Sequence, residues 1–223
     1  MYAQRSNLII GFHGCDEAVR DELINSPQYI RKSEKPYDWL GHGIYFWANN
    51  YERALEWATE KTSRHPINKP AVVGAVLELK YCFDLLDSRF INTLKAYYEL
   101  MVESYKSLGK EIPKNKDLPN DLNKDKIIRE LDCTVIEFMH QSILSTVIED
   151  ENIKGFSEYK IFDSVRGVFT EGSAIYPGAG IFDKSHIQIC IRNPNCIKGL
   201  FYPRKEVDFS PKKLYAELKK KIQ

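Results

Sequence analysis

The stretch from Asp38 to Ala58, DWLGHGIYFWANNYERALEWA, leaves the chain little conformational choice. A two-glycine clip, Gly41-His42-Gly43, runs straight into a short apolar strand, Ile44 to Trp47. Asn49 or Asn50 then caps a helix that extends to about Thr62, with Leu55, Trp57 and Ala58 as its inner face. Three consecutive aromatics on such a strand either pack a core or form a platform for a flat ligand.

The remaining elements follow from the same kind of reading. Asn7 to His13 is a short strand, and CDEAVRDELIN has helical spacing with Asp16 as its N-cap. RKSEKPYDWLGHG is a polar loop closed by glycines, and Ala71 to Leu79 is a strand entered from Pro70. From Ser88 the character changes to amphipathic helix, RFINTLKAYYELMVESYKSL, followed by a loop rich in Pro, Asn and Lys. A second amphipathic helix is apolar at Ile128, Leu131, Val135, Phe138, Ile143 and Val147. Strand signals return with YKIFDSVRGVF, then a glycine-rich loop, TEGSAIYPGAGIFDK, and the strands SHIQICIR and CIKGLFY. This mixed order predicts an α+β fold, one domain over 1–223 with a helical insertion at about 88–150. With no GxGxxG and no GxxxxGK[ST], neither a Rossmann domain nor a P-loop is supported.

Length and composition suit that reading: 223 residues, 43% hydrophobic and 28% charged. No apolar run approaches the ~20 residues of a membrane span, and MYAQRSNLII lacks the pattern of a signal peptide. The expected location is cytoplasmic, with no membrane partner. Five cysteines are scattered without a CxxC, which predicts reduced thiols, and the dispersed histidines predict no metal site. The net charge is +1, and the C-terminal tail is locally basic, suiting either a phosphate-bearing partner or a solvated helix end.

Three segments carry candidate chemistry. In GFHG, His13 stands at a strand end between glycines. In GHGIYF, Tyr45 offers a flat ring with a polar tip. In SHIQICI, alternation puts His186, Gln188 and Cys190 on one strand face, either lining a cleft or lying on an exposed edge. The combination of FHG with GxGIYF and a following helix resembles the ADP-ribosyltransferase superfamily, in its poly(ADP-ribose)-polymerase/diphtheria-toxin-like His-Tyr-Glu branch. The resemblance covers about 7 to 83 and 158 to 202.

That resemblance implies an ADP-ribosyltransferase-like split β-sheet core and NAD as co-substrate, without a metal. It implies that His13 hydrogen-bonds the adenosine ribose, that the backbone of Gly14 clasps the nicotinamide carboxamide, and that Tyr45 stacks on the nicotinamide ring. Trp57 would supply the opposite face of that sandwich or belong to the core. Two departures stand out. Ala54 occupies the place of a serine that many members use on the carboxamide, and the family's glutamate has no counterpart. Anchoring on the apolar residues that follow puts Gln188 there; anchoring on the spacing to CIKGL puts His186 there. Glutamine can hydrogen-bond a ribose hydroxyl, but it carries no charge and cannot act as a general base. A carboxylate from elsewhere would then be needed. Glu171 and Asp183 flank the glycine-rich loop, each a surface or capping residue on the blander reading. Arg166 suits a pyrophosphate or an acidic target, or a structural ion pair. The implied function is mono-ADP-ribosyl transfer to a macromolecular acceptor (protein, RNA or DNA), in the manner of a toxin–antitoxin or phage-defence effector. An antitoxin or other regulatory protein would be a partner. The alternative is a module that holds NAD or ADP-ribose without turnover.

Overall fold

A computed structural model describes residues 4–5, 8–61, 67–119, 121–205 and 210–222. After a two-residue strand β1 (Gln4–Arg5), β2 (Ile9–Asp16) leads into α1 (Glu17–Asn25), whose first turn is capped by Asp16 accepting from Ala18 N. Next come β3 (Ile44–Ala48) and α2 (Tyr51–Lys61), where Asn50 makes the cap by accepting from Arg53 N at 3.0 Å. Strands β4 (Pro70–Leu77) and β5 (Lys80–Asp84) follow. The run expected as one strand to Leu79 ends at Leu77, because Lys80 takes a left-handed φ of 50° and the chain leaves for the far side of the sheet.

Helix α3 (Ser88–Ser107), the short strands β6 (Asn115–Lys116) and β7 (Ile128–Arg129), and α4 (Glu130–Lys154) make up the inserted segment. Its second helix starts later than its apolar pattern suggests. Ile128 lies in β7, and the buried face of α4 runs through Cys133, Ile136, Met139, His140, Ile143 and Val147, with Val135 also buried and Phe138 only half-buried. Strands β8 (Ser164–Phe169), β9 (His186–Ile191) and β10 (Ile197–Phe201), then α5 (Pro211–Ile222), complete the chain.

Eight strands form one mixed sheet in the order β1-β5-β8-β9-β3-β2-β4-β10. Only β5 and β8 run parallel among these neighbours. The pairing is uneven at the centre. β2 is matched to β4 over eight residues, Ile9 to Asp16, but to β3 only at Gly11 and Phe12. Beyond Phe12 the two strands part, and His13 Nδ1 reaches the Tyr45 carbonyl oxygen at 2.8 Å.

Directly opposed residues share a sheet face. The registers Phe12↔Trp47, Trp47↔Gln188, Gly167↔Gln188 and Phe169↔His186 therefore place these side chains on one face. On it α4 lays Met139, Ile143 and Val147 against Val165, Cys190 and Leu40. Ala54 of α2 packs with Trp47 and Val72. The other face buries Phe46, Ile44, Leu77 and Ile189 together, and α1 adds Leu23 beside Cys15 and Val73.

Gly14 is fixed by the α2 contact. A Cβ there would run into the carbonyl oxygen of Ala54, a backbone atom of a fully buried residue of α2. Gly14→Ala is expected to destabilise the fold by about 1–3 kcal/mol, the usual range for forced overpacking. A urea midpoint unchanged from wild type would show that α2 is free to move off β2.

Candidate functional site

On the face shared by β3, β8 and β9, aromatic and charged groups converge. Gln188 projects from β9, and its Oε1 accepts a 2.6 Å hydrogen bond from the indole N–H of Trp39. Trp39 reaches the sheet from a loop tied by Asp38, whose carboxylate accepts from Lys35 N and whose carbonyl accepts from Gly41 N. The ring lies over Gly167, where a Cβ would come within 2.7 Å of Trp39 Cη2, and meets Phe169 edge-on with centroids 5.2 Å apart. The guanidinium of Arg129, from the start of α4, stacks 3.8 Å above the Phe169 ring and 5.1 Å from Trp39.

His186 opens β9 and stacks nearly parallel to Phe169, with Trp47 beyond it. Its Nδ1 lies 2.7 Å from the Lys184 carbonyl, an acceptor, so Nδ1 carries the proton and Nε2 is left as a bare acceptor. Burial, reinforced by the nearby Arg53 and Arg129 charges, lowers its pKa from 6.5 to about 4, so the ring is neutral at pH 7. Arg53 projects from α2 and is 4% exposed; its Nη2 donates to both carboxylate oxygens of Glu171 at 2.9 Å. Glu56 lies 3.6 Å from Arg53 Nη1. Trp47 Nε1, Arg53 Nε and His186 Nε2 are all buried with no hydrogen-bond partner among the described residues. Native proteins keep few such groups, so three on one sheet face mark the region.

The structure brings some of the expected residues together and separates others. Gln188 and His186 share a face, and Glu171 lies two residues past the end of β8, tied to α2. Glu171 is held in an ion pair with a side chain 15% exposed, so it is neither a surface group nor a cap. Asp183 does act as a loop staple, accepting from Ser173 N. Trp57 stands tilted 5.4 Å from Trp47. The hydroxyl of Tyr45 donates to Gly41 O and accepts from Leu40 N, and its ring packs against the cluster that contains Leu40, Met139 and Cys190. Burial pushes its pKa well above the ordinary tyrosine value. His13 lies on the opposite face, edge-on to Phe46. Arg166 is there too, paired with the buried Asp84 at 2.9 Å, the structural alternative left open for it. Sequence reasoning missed Trp39, Arg53, Arg129 and Phe169. A signal existed for one of them: the glycine inside SVRGVF marks a close approach to the strand, and Trp39 makes it.

All five cysteines are free and buried, with burial raising the thiols of Cys15 and Cys196 to about 11 and that of Cys133 to about 12, which leaves none as a ready nucleophile. Among the described residues no group of three or more metal-ligating side chains is assembled, and no helix is long and apolar enough to cross a membrane. No family model matches the chain, and no curated protein or solved structure matches it either.

Breaking the Arg53–Glu171 pair takes the nearest carboxylate from a buried cation, which keeps Glu56 at 3.6 Å and Glu60 at 4.0 Å. Glu171→Gln should cost about 2 kcal/mol in urea unfolding, with Arg53→Met/Glu171→Leu recovering part of the loss; a cost below about 0.5 kcal/mol would mean the pair is solvated. His186 contributes a pH dependence of defined sign. Its folded pKa is depressed, so its contribution is complete above about pH 6.5 and is lost as pH falls toward about 4. His140, lowered to about 3 by burial, adds to the same acid sensitivity. The drop in melting temperature between pH 7.5 and pH 5 should be smaller in His186→Asn than in wild type, and an equal drop would place the titration elsewhere.

Proposed function

We propose that the chain is an NAD-dependent mono-ADP-ribosyltransferase acting on a macromolecular acceptor, in the manner of a toxin or defence effector. One observation carries the reading. The segments FHG, GIYF and SHIQICI, far apart in sequence, lie on β2, β3 and β9, three adjacent strands, and β2 parts from β3 where His13 and Tyr45 meet. Where a strand pair parts, backbone groups that are not re-paired, as Gly43 is with Ser33, are left for a ligand, and the polar cluster lies on the sheet face opposite His13.

In such a transfer the bond between nicotinamide and ribose breaks, nicotinamide leaves with the electron pair, and an acceptor oxygen or nitrogen bonds the ribose carbon. Positive charge develops on the ribose, and the acceptor's proton goes to a base. Gln188 orients a hydroxyl but cannot take that proton. The Glu171 carboxylate can, whereas burial and the Arg53 and Arg129 charges disfavour a proton on His186 Nε2. Trp39 supports the alternative of a binding module without turnover, because its indole N–H occupies one of the two acceptor positions of the Gln188 carbonyl oxygen and fixes that side chain.

Both readings call for NAD to raise the melting temperature of the protein, since a ligand that binds only the folded state stabilises it. Incubation with adenylate-labelled NAD and whole-cell lysate, followed by nuclease or protease, separates them. The transferase reading expects nicotinamide release and a label removed by one of the two digestions. Thermal stabilisation without either leaves the binding module, and no thermal response removes both.

A further inference from the structure

A cavity of about 420 Å³ lies where the β6–β7 loop of the inserted segment meets the loop that follows β8, away from the strand split. Lys124, Lys126 and Arg129 line it together with Asp125, Asp132, Thr170 and the ring of Phe182. The loop also carries acidic residues, but these are engaged within the protein. Asp117 accepts from Lys126 N, and Asp121 from Asn123 N and Asp125 N. Asp125 accepts from Gly172 N, Asp132 from the Asn115 side chain, and Glu130 from Lys116. Lys124 and Lys126 make no ion pair among the described residues, and both side chains are exposed. Both also hold a left-handed backbone, with φ of 57° and 50°, which a lysine adopts only where surrounding contacts impose it. The inward contact of Asp125 with Gly172 turns this stretch toward the cavity. Arg129 completes the wall, its guanidinium carbon 3.8 Å from the centre of the Phe169 ring and its N–H groups donating to the carbonyls of Lys126 and Asp125.

With Asp125 and Asp132 each held by a hydrogen bond within the protein, two ammonium groups without an ion pair among the described residues, a guanidinium, a hydroxyl and a phenyl ring in a concavity of about 420 Å³ suit a phosphate joined to a planar base. We propose that this cavity is a nucleotide-binding site separate from the β2–β3 split, taking either a free nucleotide or one residue of a single-stranded nucleic acid. The site does not depend on the transferase reading. If that reading holds, the cavity lies beside the Phe169–His186 stack and selects a nucleic-acid acceptor.

The test is fluorescence anisotropy of labelled oligouridylate and oligothymidylate at low salt, with AMP and inorganic phosphate as competitors. It compares the wild type with Lys124→Gly/Lys126→Gly. Glycine suits the left-handed backbone at both positions, so the variant keeps the fold while losing both charges. The expected result is wild-type binding that AMP or unlabelled oligonucleotide displaces better than phosphate does. In the double variant binding should weaken about tenfold or more, with nicotinamide release from NAD unchanged. Displacement by AMP identifies a free nucleotide, and displacement only by oligonucleotide identifies a chain. Absence of wild-type binding, equal binding by the double variant, or equal displacement by inorganic phosphate would each overturn a separate nucleotide site. Nucleotide binding with no NAD response in the wild type removes the transferase reading and leaves this site standing.

Discussion

The structure turns on the unequal pairing of β2. Eight register pairs join it to β4, and two join it to β3. Strand edges must satisfy their backbone groups, and where β3 parts from β2 the opening is partly filled, since Gly43 exchanges backbone hydrogen bonds with Ser33 and the Tyr45 carbonyl accepts from His13. Three contacts hold that opening in place. The His13 imidazole bridges to the Tyr45 carbonyl, α2 presses against Gly14 so closely that no side chain fits, and the Tyr45 hydroxyl anchors the turn at Leu40 and Gly41. The glycine clip before β3 serves the same end. Gly41 has φ of 79°, and at Gly43 a Cβ would collide with Cys190.

Beside the opening, the polar groups form a graded series. Gln188 is neutral and fixed by an indole. Glu171 is charged but held by a buried arginine. His186 is neutral because burial and two nearby cations disfavour its proton. In a low-dielectric setting such groups interact more strongly than in water, and each is costly unless satisfied. The aromatic rings of Trp39, Phe169, His186 and Trp47 run between them, with Phe169, His186 and Trp47 buried. The arrangement separates an oriented hydrogen-bonding group, a carboxylate and a bare imidazole nitrogen along one sheet face.

Much of this was legible in the sequence, for reasons that differ by element. The helices at Glu17 and Tyr51 announce themselves through local caps, Asp16 and Asn50, which act within a few residues. The face shared by His186 and Gln188 follows from strand alternation alone. The end of β4 was not legible, because it depends on a single left-handed lysine, and nothing in the residue type calls for that conformation. Nor was the Arg53–Glu171 pair, whose partners are brought together only when α2 docks on the sheet. The placement of His13 and Arg166 on the face opposite Gln188 needed strand registers, and a one-residue shift would have reversed it.

The inserted helices have a topological role beyond packing. β5 and β8 are the parallel pair of the sheet, and parallel neighbours cannot be joined by a hairpin. The chain must leave one end of β5, travel the length of the sheet and return to enter β8 in the same direction. α3 and α4 are that return path, so the segment is a crossover connection and not an appendage. Shortening it below the span of the strands would unjoin the sheet, whereas the stretch between the two helices is bound by no such length requirement. That stretch can be shaped by a ligand without disturbing the crossover, and Lys124 and Lys126 lie in it.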